Sequence, residues 1–176
     1  MTTPQRIAVI GCSGSGKSTF APRLAERMGL PYVPTDQVFW TDDWRPTPSD
    51  EVHRWLAEAV AAEAWVTDGN FDNQRGVLWA SADLIVWLDL PLATTIWRVG
   101  RRNYGWWLGR QKVWGGQAMT LAKAWSGLRH AANSHGLKRR TYPGYLAEIP
   151  SVAVVRLTSP DEVERWLVEP GVPGGR

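Results

Sequence analysis

The sequence predicts an α/β fold in which the strands of a parallel sheet alternate with helices. Apolar, β-branched segments of strand length recur along the chain, and stretches with helical spacing of apolar residues separate them. These strand segments lie at residues 6–10, 30–34, 64–71, 83–91 and 152–157. The first leads into a glycine-rich turn and then into a helical pattern. With 176 residues, the chain has room for one domain of this kind.

The glycine-rich turn, residues 11–18, reads Gly-Cys-Ser-Gly-Ser-Gly-Lys-Ser and fits the phosphate-loop pattern G-x-x-x-x-G-K-[ST] without a mismatch. Its glycines let the backbone N–H groups turn inward, and the following helix adds the positive end of its dipole. Lys17 is expected to reach the β- and γ-phosphates, and the Ser18 hydroxyl to ligate Mg²⁺. The sequence therefore predicts a nucleoside triphosphate site, formed by Gly11, Ser13, Gly14, Ser15, Gly16, Lys17, Ser18 and Thr19.

The spacing of apolar residues predicts the helices. The first spans about residues 16–28, directly behind the phosphate loop. A second begins at Ser49, a residue type suited to cap a helix N-terminus. A third begins near Ala93, and the last is capped by Ser159 or Asp161.

Acidic residues follow three of the predicted strands. Asp36, Asp68 and Asp89 come at or just past a strand end, where parallel sheets bind their ligands. We expect Asp36 to orient or deprotonate the nucleophile of the molecule that accepts a phosphoryl group, and Asp68 to hold Mg²⁺ with Ser18. Asp89 competes with Asp68 for the metal, and it alternatively caps the helix that follows it. A plain turn is the competing interpretation of Asp68 with its neighbouring glycine.

A second group of residues is predicted to contact the acceptor. Trp40 and Trp44 offer flat apolar surfaces for a substrate, although packing against the core explains them equally well. Gly69 allows a close approach of the backbone, and Asn70 lies beside it. Arg75 follows at a predicted helix start and is a candidate to hold a phosphate or another anion.

The net charge of +3 is unevenly distributed. Residues 90–147 contain no Asp or Glu but hold 10 of the 20 basic residues, which leaves 10 basic against 17 acidic residues elsewhere, a balance of −7. Spacings of three and four place Arg98, Arg101 and Arg102 on one face of a helix. Residues 90–147 therefore have a function that the acidic rest of the chain does not share.

The composition favours a cytoplasmic protein. The chain has a single cysteine, which excludes an internal disulfide framework. No apolar run approaches membrane-spanning length, and the sequence enters its first strand without a leader-like segment. We therefore expect no membrane partner, and the oligomeric state is not predicted.

The order of these features resembles a known family. It comprises the phosphate loop, residues 24–29 (LAxxxG), the acid after the second strand, a Trp-rich loop, residues 68–71 (Asp-Gly-Asn-Phe), the strand ending at Asp89 and the Arg-rich helix. This order resembles the adenylate-kinase-related P-loop kinases of the topology-modulation protein family, in the P-loop NTPase superfamily. The resemblance implies a three-layer fold with a five-stranded parallel sheet in the order 2-3-1-4-5. It also implies ATP, Mg²⁺ and an Arg- and Trp-rich lid after the fourth strand, residues 98–147 of a single domain, 1–176.

The resemblance also implies roles for individual residues. The Asp68-Gly69 pair is similar to the start of the Asp-Gly-Phe-Pro-Arg stretch of adenylate kinases, with Asn70-Phe71 in place of Phe-Pro and the arginine delayed to Arg75. Catalytic lid arginines would come from Arg98, Arg101 and Arg102, with Arg139 and Arg140 in reserve. The adenine would lie between the Arg-rich helix and the turn that contains Ser159.

Three functions are compatible with these observations. The first is transfer of the γ-phosphoryl group of ATP to a nucleoside monophosphate or a hydroxyl-bearing metabolite, with Lys17 and the lid arginines stabilising the transferred group. AMP is a weak candidate, because only Arg45 and Arg54 are cationic between Met28 and Gln74. The second is an ATP-binding regulatory protein that modulates DNA topology and binds nucleic acid through residues 98–140. The third is a nucleotide-hydrolysing switch without a small acceptor.

Overall fold

The computed structural model describes residues 3–35, 38, 47–109, 112–113, 117–118 and 120–171. The predicted acceptor residues Asp36, Trp40 and Trp44 lie outside the described residues. The elements in chain order are β1 (Arg6–Gly11), α1 (Lys17–Met28), β2 (Tyr32–Pro34), α2 (Ser49–Val60), β3 (Trp65–Asp68), α3 (Arg75–Leu78), β4 (Leu84–Leu88), α4 (Leu92–Leu108), β5 (Lys112–Val113), β6 (Gln117–Ala118), α5 (Leu121–Ala147), β7 (Ala153–Leu157) and α6 (Pro160–Val168).

Five strands form one parallel sheet in the order β2-β3-β1-β4-β7. This is the predicted order 2-3-1-4-5, which is confirmed. Val9 of β1 pairs with Asp68 of β3 on one side and with Val86 of β4 on the other. The carboxyl end of β1 therefore lies between the carboxyl ends of its two neighbours, and the loops that follow these strands share one edge of the sheet.

Helices cover both faces of the sheet. On one face, Leu24 of α1 and Leu167 of α6 are buried against the strands. On the other face, Leu56 of α2, Leu78 of α3 and Tyr142 of α5 are buried in a second apolar cluster. Both faces of the central strands are therefore covered, which explains why their sequences are apolar throughout instead of alternating.

Helix α6 begins as the sequence predicts. The Ser159 hydroxyl accepts a hydrogen bond from the Glu162 N–H at 3.2 Å, and Pro160 occupies the first helical position, where its missing N–H has no cost. Helix α4 begins differently from the prediction, because Pro91 is its N-cap and no side chain caps it. The alternative role of Asp89 as a cap for this helix is therefore wrong.

Helix α5 is the one long element that the sequence pattern did not predict. It runs for 27 residues through Gly127, Gly136 and Pro143, which are ordinary signals for a break. Packing maintains it, because the Tyr142 ring contacts Trp79 edge-on at 5.1 Å and Trp87 at 5.6 Å between centroids. Of the helices in the described ranges, none combines the length and the apolar composition needed to cross a membrane.

The proposed lid segment, 98–147, comprises most of α4, the β5–β6 hairpin and α5. Its two ends differ in burial. Trp125, near the start of α5, is 72% exposed, whereas Ala131 and Tyr142 further along are fully buried. The second half of α5 is therefore a part of the core, and the movement of the remainder as a lid stays a prediction.

Asp83 joins the start of β1 to the start of β4. Its carboxylate accepts the backbone N–H groups of Gln5 at 3.1 Å and Arg6 at 2.9 Å, and the Arg6 guanidinium at 2.6 Å. Burial acts to raise the pKa of Asp83, but the hydrogen bonds from the Arg6 side chain and from the two N–H groups together lower it.

Replacement of this carboxylate should therefore destabilise the fold in a pH-dependent way. A carboxyl group with a lowered folded pKa adds stability above its unfolded pKa of about 3.9, and this stability is lost as the pH falls through the folded pKa. Because both side chains are partly exposed, we expect Asp83→Asn to cost about 0.5–1 kcal/mol at pH 7 and much less at pH 3. Urea unfolding at both pH values measures this, with the exposed Glu63→Gln as control. An equal cost at both pH values would contradict the prediction.

Candidate functional site

An open cleft lies at the carboxyl edge of the sheet. One side is the phosphate loop, residues 11–18, and helices α4 and α5 contribute Arg98 and Lys138. The opposite side, which we call the polar wall, consists of residues 69–74 together with Thr47, Ser49 and Val52. The sheet register places these parts around one space, because β1 and β3 end side by side.

The phosphate loop has the geometry that its sequence predicts. Gly14 and Gly16 adopt left-handed backbone conformations, with φ of 81° and 95°. The Lys17 ammonium lies back over the loop and donates to the carbonyl oxygens of Gly11 at 3.1 Å and Cys12 at 3.2 Å. The Ser15 hydroxyl is buried and has no hydrogen-bond partner within the described ranges. A left-handed glycine loop with a lysine across it, at the start of a helix, fits a bound polyphosphate.

Asn70 connects the phosphate loop to the polar wall. Its Oδ1 accepts the Gly11 N–H at 2.9 Å, and its carbonyl oxygen accepts the indole N–H of Trp79 at 3.1 Å. The side chain that was predicted to contact the acceptor is thus directed to the first glycine of the loop. Asn70 fixes the spacing of the two sides of the cleft, and its contact with an acceptor stays a prediction.

Asp68 is buried at the end of β3. It is 2% exposed, and its Oδ1 accepts the Tyr32 hydroxyl at 2.8 Å. The Thr35 hydroxyl donates to the Asp68 carbonyl oxygen, and a Cβ on Gly69 would collide with that hydroxyl and with the Phe71 ring. Gly69 is therefore required by close packing against Thr35 and Phe71, and its predicted contact with an acceptor stays a prediction. Asp68 lies behind the surface of the cleft, beside the strand that enters the phosphate loop, and its role with Ser18 at Mg²⁺ stays a prediction.

Asp89, the second candidate for the metal, has a structural role. Its buried carboxylate is ion-paired with Arg156 of β7, whose Nε lies at 2.9 Å, and with Arg139 of α5 at 3.1 Å. The Arg156 guanidinium also lies over the Trp87 ring, 4.5 Å from its centroid. This arrangement ties α5 to the sheet, and it engages Arg139, which was a reserve candidate for the lid.

Three arginines of α4 line the cleft, as their spacing predicts. Arg98 donates to the Ser15 carbonyl oxygen at 2.9 Å and so lies directly against the phosphate loop. The Arg101 guanidinium lies 5.3 Å from the Trp97 ring centroid, and that of Arg102 also lines the cleft. Arg98 thus lies against the phosphate loop and Arg101 and Arg102 line the same cleft, while the catalytic role of all three stays a prediction. Arg140, the other reserve, is exposed.

Two other predicted site residues lie elsewhere. The Arg75 guanidinium stacks on the Tyr145 ring at 3.8 Å, donates to the Asp72 carbonyl oxygen and pairs with Glu148. It does not line the cleft, where an anion contact was predicted. Ser159 caps α6, and the neighbouring cleft surface is formed by the side chains of the next helical turn, Val163 and Glu164.

Sequence reasoning missed a polar cluster at the edge of the cleft. The Lys138 ammonium donates to Oδ2 of Asp72, and the Tyr142 hydroxyl donates to Oδ1 at 3.1 Å. Burial and the adjacent Asp72 carboxylate raise the pKa of Tyr142 far above its usual value, so the phenol remains a donor. The excess of basic residues was the only signal for Lys138, because its place on α5 was not predicted.

The fold of the chain is a P-loop kinase-like fold. A gluconokinase structure from Sinorhizobium meliloti 1021 has a TM-score of 0.52 to this chain at 19% sequence identity, covering 96% of this chain and 94% of that chain. At this identity the likeness is one of fold alone.

Sequence relatives are distant, and no protein-family model matches the chain. It is 24% identical over 150 residues to the uncharacterized protein YqaC of Bacillus subtilis, covering 82% of this chain and 84% of that protein. It is 32% identical over 111 residues to a cytidylate kinase of Natronomonas pharaonis and 29% identical over 112 residues to one of Pyrococcus horikoshii. These two alignments cover 55% of this chain and 58% and 57% of the kinases, little more than half their length. Membership of the topology-modulation family stays a prediction.

The close contact between α4 and the phosphate loop gives a testable prediction. A Cβ on Gly14 would lie 2.7 Å from both the Thr95 carbonyl oxygen and Cγ2 of Val99, and φ is 81°. We expect Gly14→Ala to destabilise the protein by about 2 kcal/mol, or about 4–8 °C in Tm, because overlap and backbone strain add. Thermal unfolding measures this.

Gly105→Ala is the matched control, because Gly105 lies in α4 and, in the described part of the chain, nothing beyond its neighbours in the helix comes within 4 Å of the added Cβ. This variant should be neutral or stabilising by up to about 1 kcal/mol, since alanine favours a helix. Equal Tm changes in the two variants would refute the close contact at Gly14.

Proposed function

We propose that the protein is a phosphotransferase that moves the γ-phosphoryl group of ATP to a small acceptor. The observation that carries this proposal is the single cleft in which the phosphate loop and the polar wall face each other, joined by the hydrogen bond between Gly11 and Asn70. A transfer reaction needs donor and acceptor sites that are held at a fixed separation. A loop that only binds a nucleotide has no need of such a wall.

The residues of the cleft can be assigned to steps of the transfer. The N–H groups of the phosphate loop would hold the β- and γ-phosphates, and Lys17 would leave its carbonyl contacts to neutralise them. Arg98 lies against Ser15 and would add positive charge on the side of α4. The acceptor oxygen would attack the γ-phosphorus in line, the bond from that phosphorus to the bridging oxygen would break, and ADP would leave.

Mg²⁺ would be held by Ser18, with Asp68 behind it. The Ser18 hydroxyl lines the cleft at the start of α1, and Asp68 supplies a carboxylate at the neighbouring strand end. Hydroxyl and carboxylate oxygens are the ligands that Mg²⁺ prefers, so the donor set fits the ion. When bound, the ion would offset charge on the β- and γ-phosphate oxygens.

The sequence relatives support a nucleotide-dependent kinase reaction. Two of them are cytidylate kinases, so a nucleoside monophosphate such as CMP is one acceptor to be tested. The gluconokinase shares the fold alone, so hydroxyl acceptors enter the test on the chemistry of the site and not on that likeness.

Removal of the lysine tests the proposal. We expect Lys17→Ala to lower acceptor-dependent turnover of ATP by about 10²-fold or more, because a charge on the transferred group loses its neutralising partner. ADP release is measured with CMP, UMP, cytidine, glycerol, glucose and gluconate as acceptors. Arg165→Ala, an exposed cation on α6, is the control and should retain the activity of the unaltered protein.

The outcome separates the kinase from the nucleotide-hydrolysing switch. Stimulation by one small acceptor that requires Lys17 supports the kinase. Hydrolysis that requires Lys17 but no acceptor supports the nucleotide-hydrolysing switch instead. No Lys17-dependent turnover with any acceptor or with water contradicts the proposal.

Exposed aromatic rings beside cations favour nucleic-acid binding as the second candidate. Trp97, Trp107 and Trp125 are 61%, 45% and 72% exposed. Along α4, the Arg101 guanidinium lies 5.3 Å from the Trp97 ring centroid and that of Arg102 lies 4.8 Å from the Trp106 ring centroid. Flat rings with adjacent cations are suited to stack bases and contact phosphates.

Single-stranded DNA binding should then weaken by about 0.7 in log K per unit of log salt for each phosphate contacted. Fluorescence titration at several salt concentrations measures this slope, and Trp125→Ala should weaken binding. Absence of binding at low salt would exclude this candidate.

A further inference from the structure

Asp72 lines the cleft, and its carboxylate is both fixed by hydrogen bonds and partly exposed. Lys138 donates to one of its oxygens and Tyr142 to the other, so its orientation is fixed from the side of α5. The Asp72 side chain is nevertheless 43% exposed, whereas that of Lys138 is 8% exposed. Each carboxylate oxygen can accept more than one hydrogen bond, so Asp72 retains capacity towards the cleft.

Gln74, two residues along the same wall, adds a second acceptor. Its Nε2 donates a hydrogen bond to the Ser49 carbonyl oxygen at 2.8 Å. The remaining polar atom of this amide is the acceptor oxygen Oε1. This Oε1 is buried and has no donor partner in the described part of the chain. An unpaired buried acceptor is costly, so a hydrogen-bond donor that reached this oxygen would be stabilised there.

The charge of the polar wall points to the same chemistry. The polar wall as defined, residues 69–74 with Thr47, Ser49 and Val52, includes no cation, and Lys138, which reaches Asp72 from α5, is neutralised by that carboxylate. A phosphate monoester carries a charge of about −1.5 to −2 at pH 7, and its oxygens chiefly accept hydrogen bonds. Such a group would meet a carboxylate and an amide oxygen, which do not donate. A hydroxyl group, which donates, complements both.

We propose that the atom phosphorylated by this protein is a hydroxyl oxygen of a polyol, sugar or nucleoside, and that Asp72 is the residue that receives the hydroxyl hydrogen. This inference rests on the proposed phosphotransferase function. During transfer the hydroxyl oxygen forms a bond to the γ-phosphorus, the bond from that phosphorus to the β-phosphate breaks, and ADP leaves. The hydroxyl proton passes to the Asp72 carboxylate and then to solvent, so the products are a phosphate monoester, ADP and a proton.

Lys138 and Tyr142 act in this reaction as positioning residues. Their hydrogen bonds hold the Asp72 carboxylate in one orientation, and the aromatic contacts of Tyr142 with Trp79 and Trp87 anchor the cluster to the core. Asp36, which the sequence predicts for the same role, lies outside the described residues and is therefore compared with Asp72 in the experiment.

The experiment compares product chemistry and variants. Glycerol, glucose, gluconate and cytidine are assayed beside CMP and UMP, and ³¹P NMR distinguishes a new phosphate monoester from a new phosphoanhydride. We expect a monoester product. Asp72→Asn should lower kcat for transfer by about 10²-fold or more, because proton transfer to a side chain contributes about 10²–10⁴-fold. The Kd for ATP should change less than twofold.

Further variants keep the result interpretable. Glu148→Gln, an exposed carboxylate outside the cleft, is the matched control and should retain kcat. Tyr142→Phe removes one hydrogen bond from Asp72 and should give a smaller loss of kcat, with little change in the KM for the acceptor. Thermal unfolding shows that each variant is folded, and Tyr142→Phe provides the test if Asp72→Asn is not.

The proposal is overturned if a phosphoanhydride from CMP or UMP is the only product, or if Asp72→Asn retains kcat within twofold. It is also overturned if Asp36→Asn abolishes transfer while Asp72→Asn does not. The first of these results leaves the phosphotransferase function intact, because Lys17-dependent transfer is still observed. Absence of all Lys17-dependent turnover removes the phosphotransferase function and this inference with it.

Discussion

The parallel pairing of β1 with β3 is the constraint on which the candidate site depends. It places the end of β1, where the phosphate loop begins, beside the end of β3, where the polar wall begins. The hydrogen bond from the Gly11 N–H to Asn70 then fixes the distance between the two sides. Because the strands are buried on both faces, a shift in their register would displace a whole layer of core side chains. The geometry of the cleft is thus set by the packing of the sheet.

Helix α5 connects this sheet to the open side of the cleft. Tyr142 packs against Trp79, directly after α3, and Trp87 of β4, and Arg139 reaches the buried carboxylate of Asp89. Lys138, between these two anchors, is directed to Asp72 on the opposite side of the cleft. A helix with glycines and a proline in its interior is weak by itself, and these contacts supply what its intrinsic propensity lacks. The position of Lys138 is therefore a consequence of core packing.

The sequence allowed much of the fold to be predicted, but fewer of the contacts in the site. The strand segments, the phosphate loop and the Ser159 cap have local patterns, and the family resemblance supplied the sheet order, which is confirmed. Helix α5 was missed because Gly136 and Pro143 normally indicate breaks. The contacts of Asn70 with Gly11 and of Lys138 with Asp72 join residues 59 and 66 positions apart. No local pattern encodes such pairs, and they became visible only when the helices and strands were placed.

The three acidic residues Asp68, Asp72 and Asp89 at this edge of the sheet differ in burial and in their hydrogen-bond and ion-pair partners. Asp89 has two arginines for one carboxylate and is buried, which leaves it no capacity for a ligand. Asp68 is equally buried, and its Oδ1 accepts the hydroxyl of a neutral residue, Tyr32. Asp72 has a single cation and remains 43% exposed. Asp89 is therefore suited to holding α5 on the sheet and Asp72 to a donor group on a substrate, whereas the role of Asp68 at a metal stays a prediction.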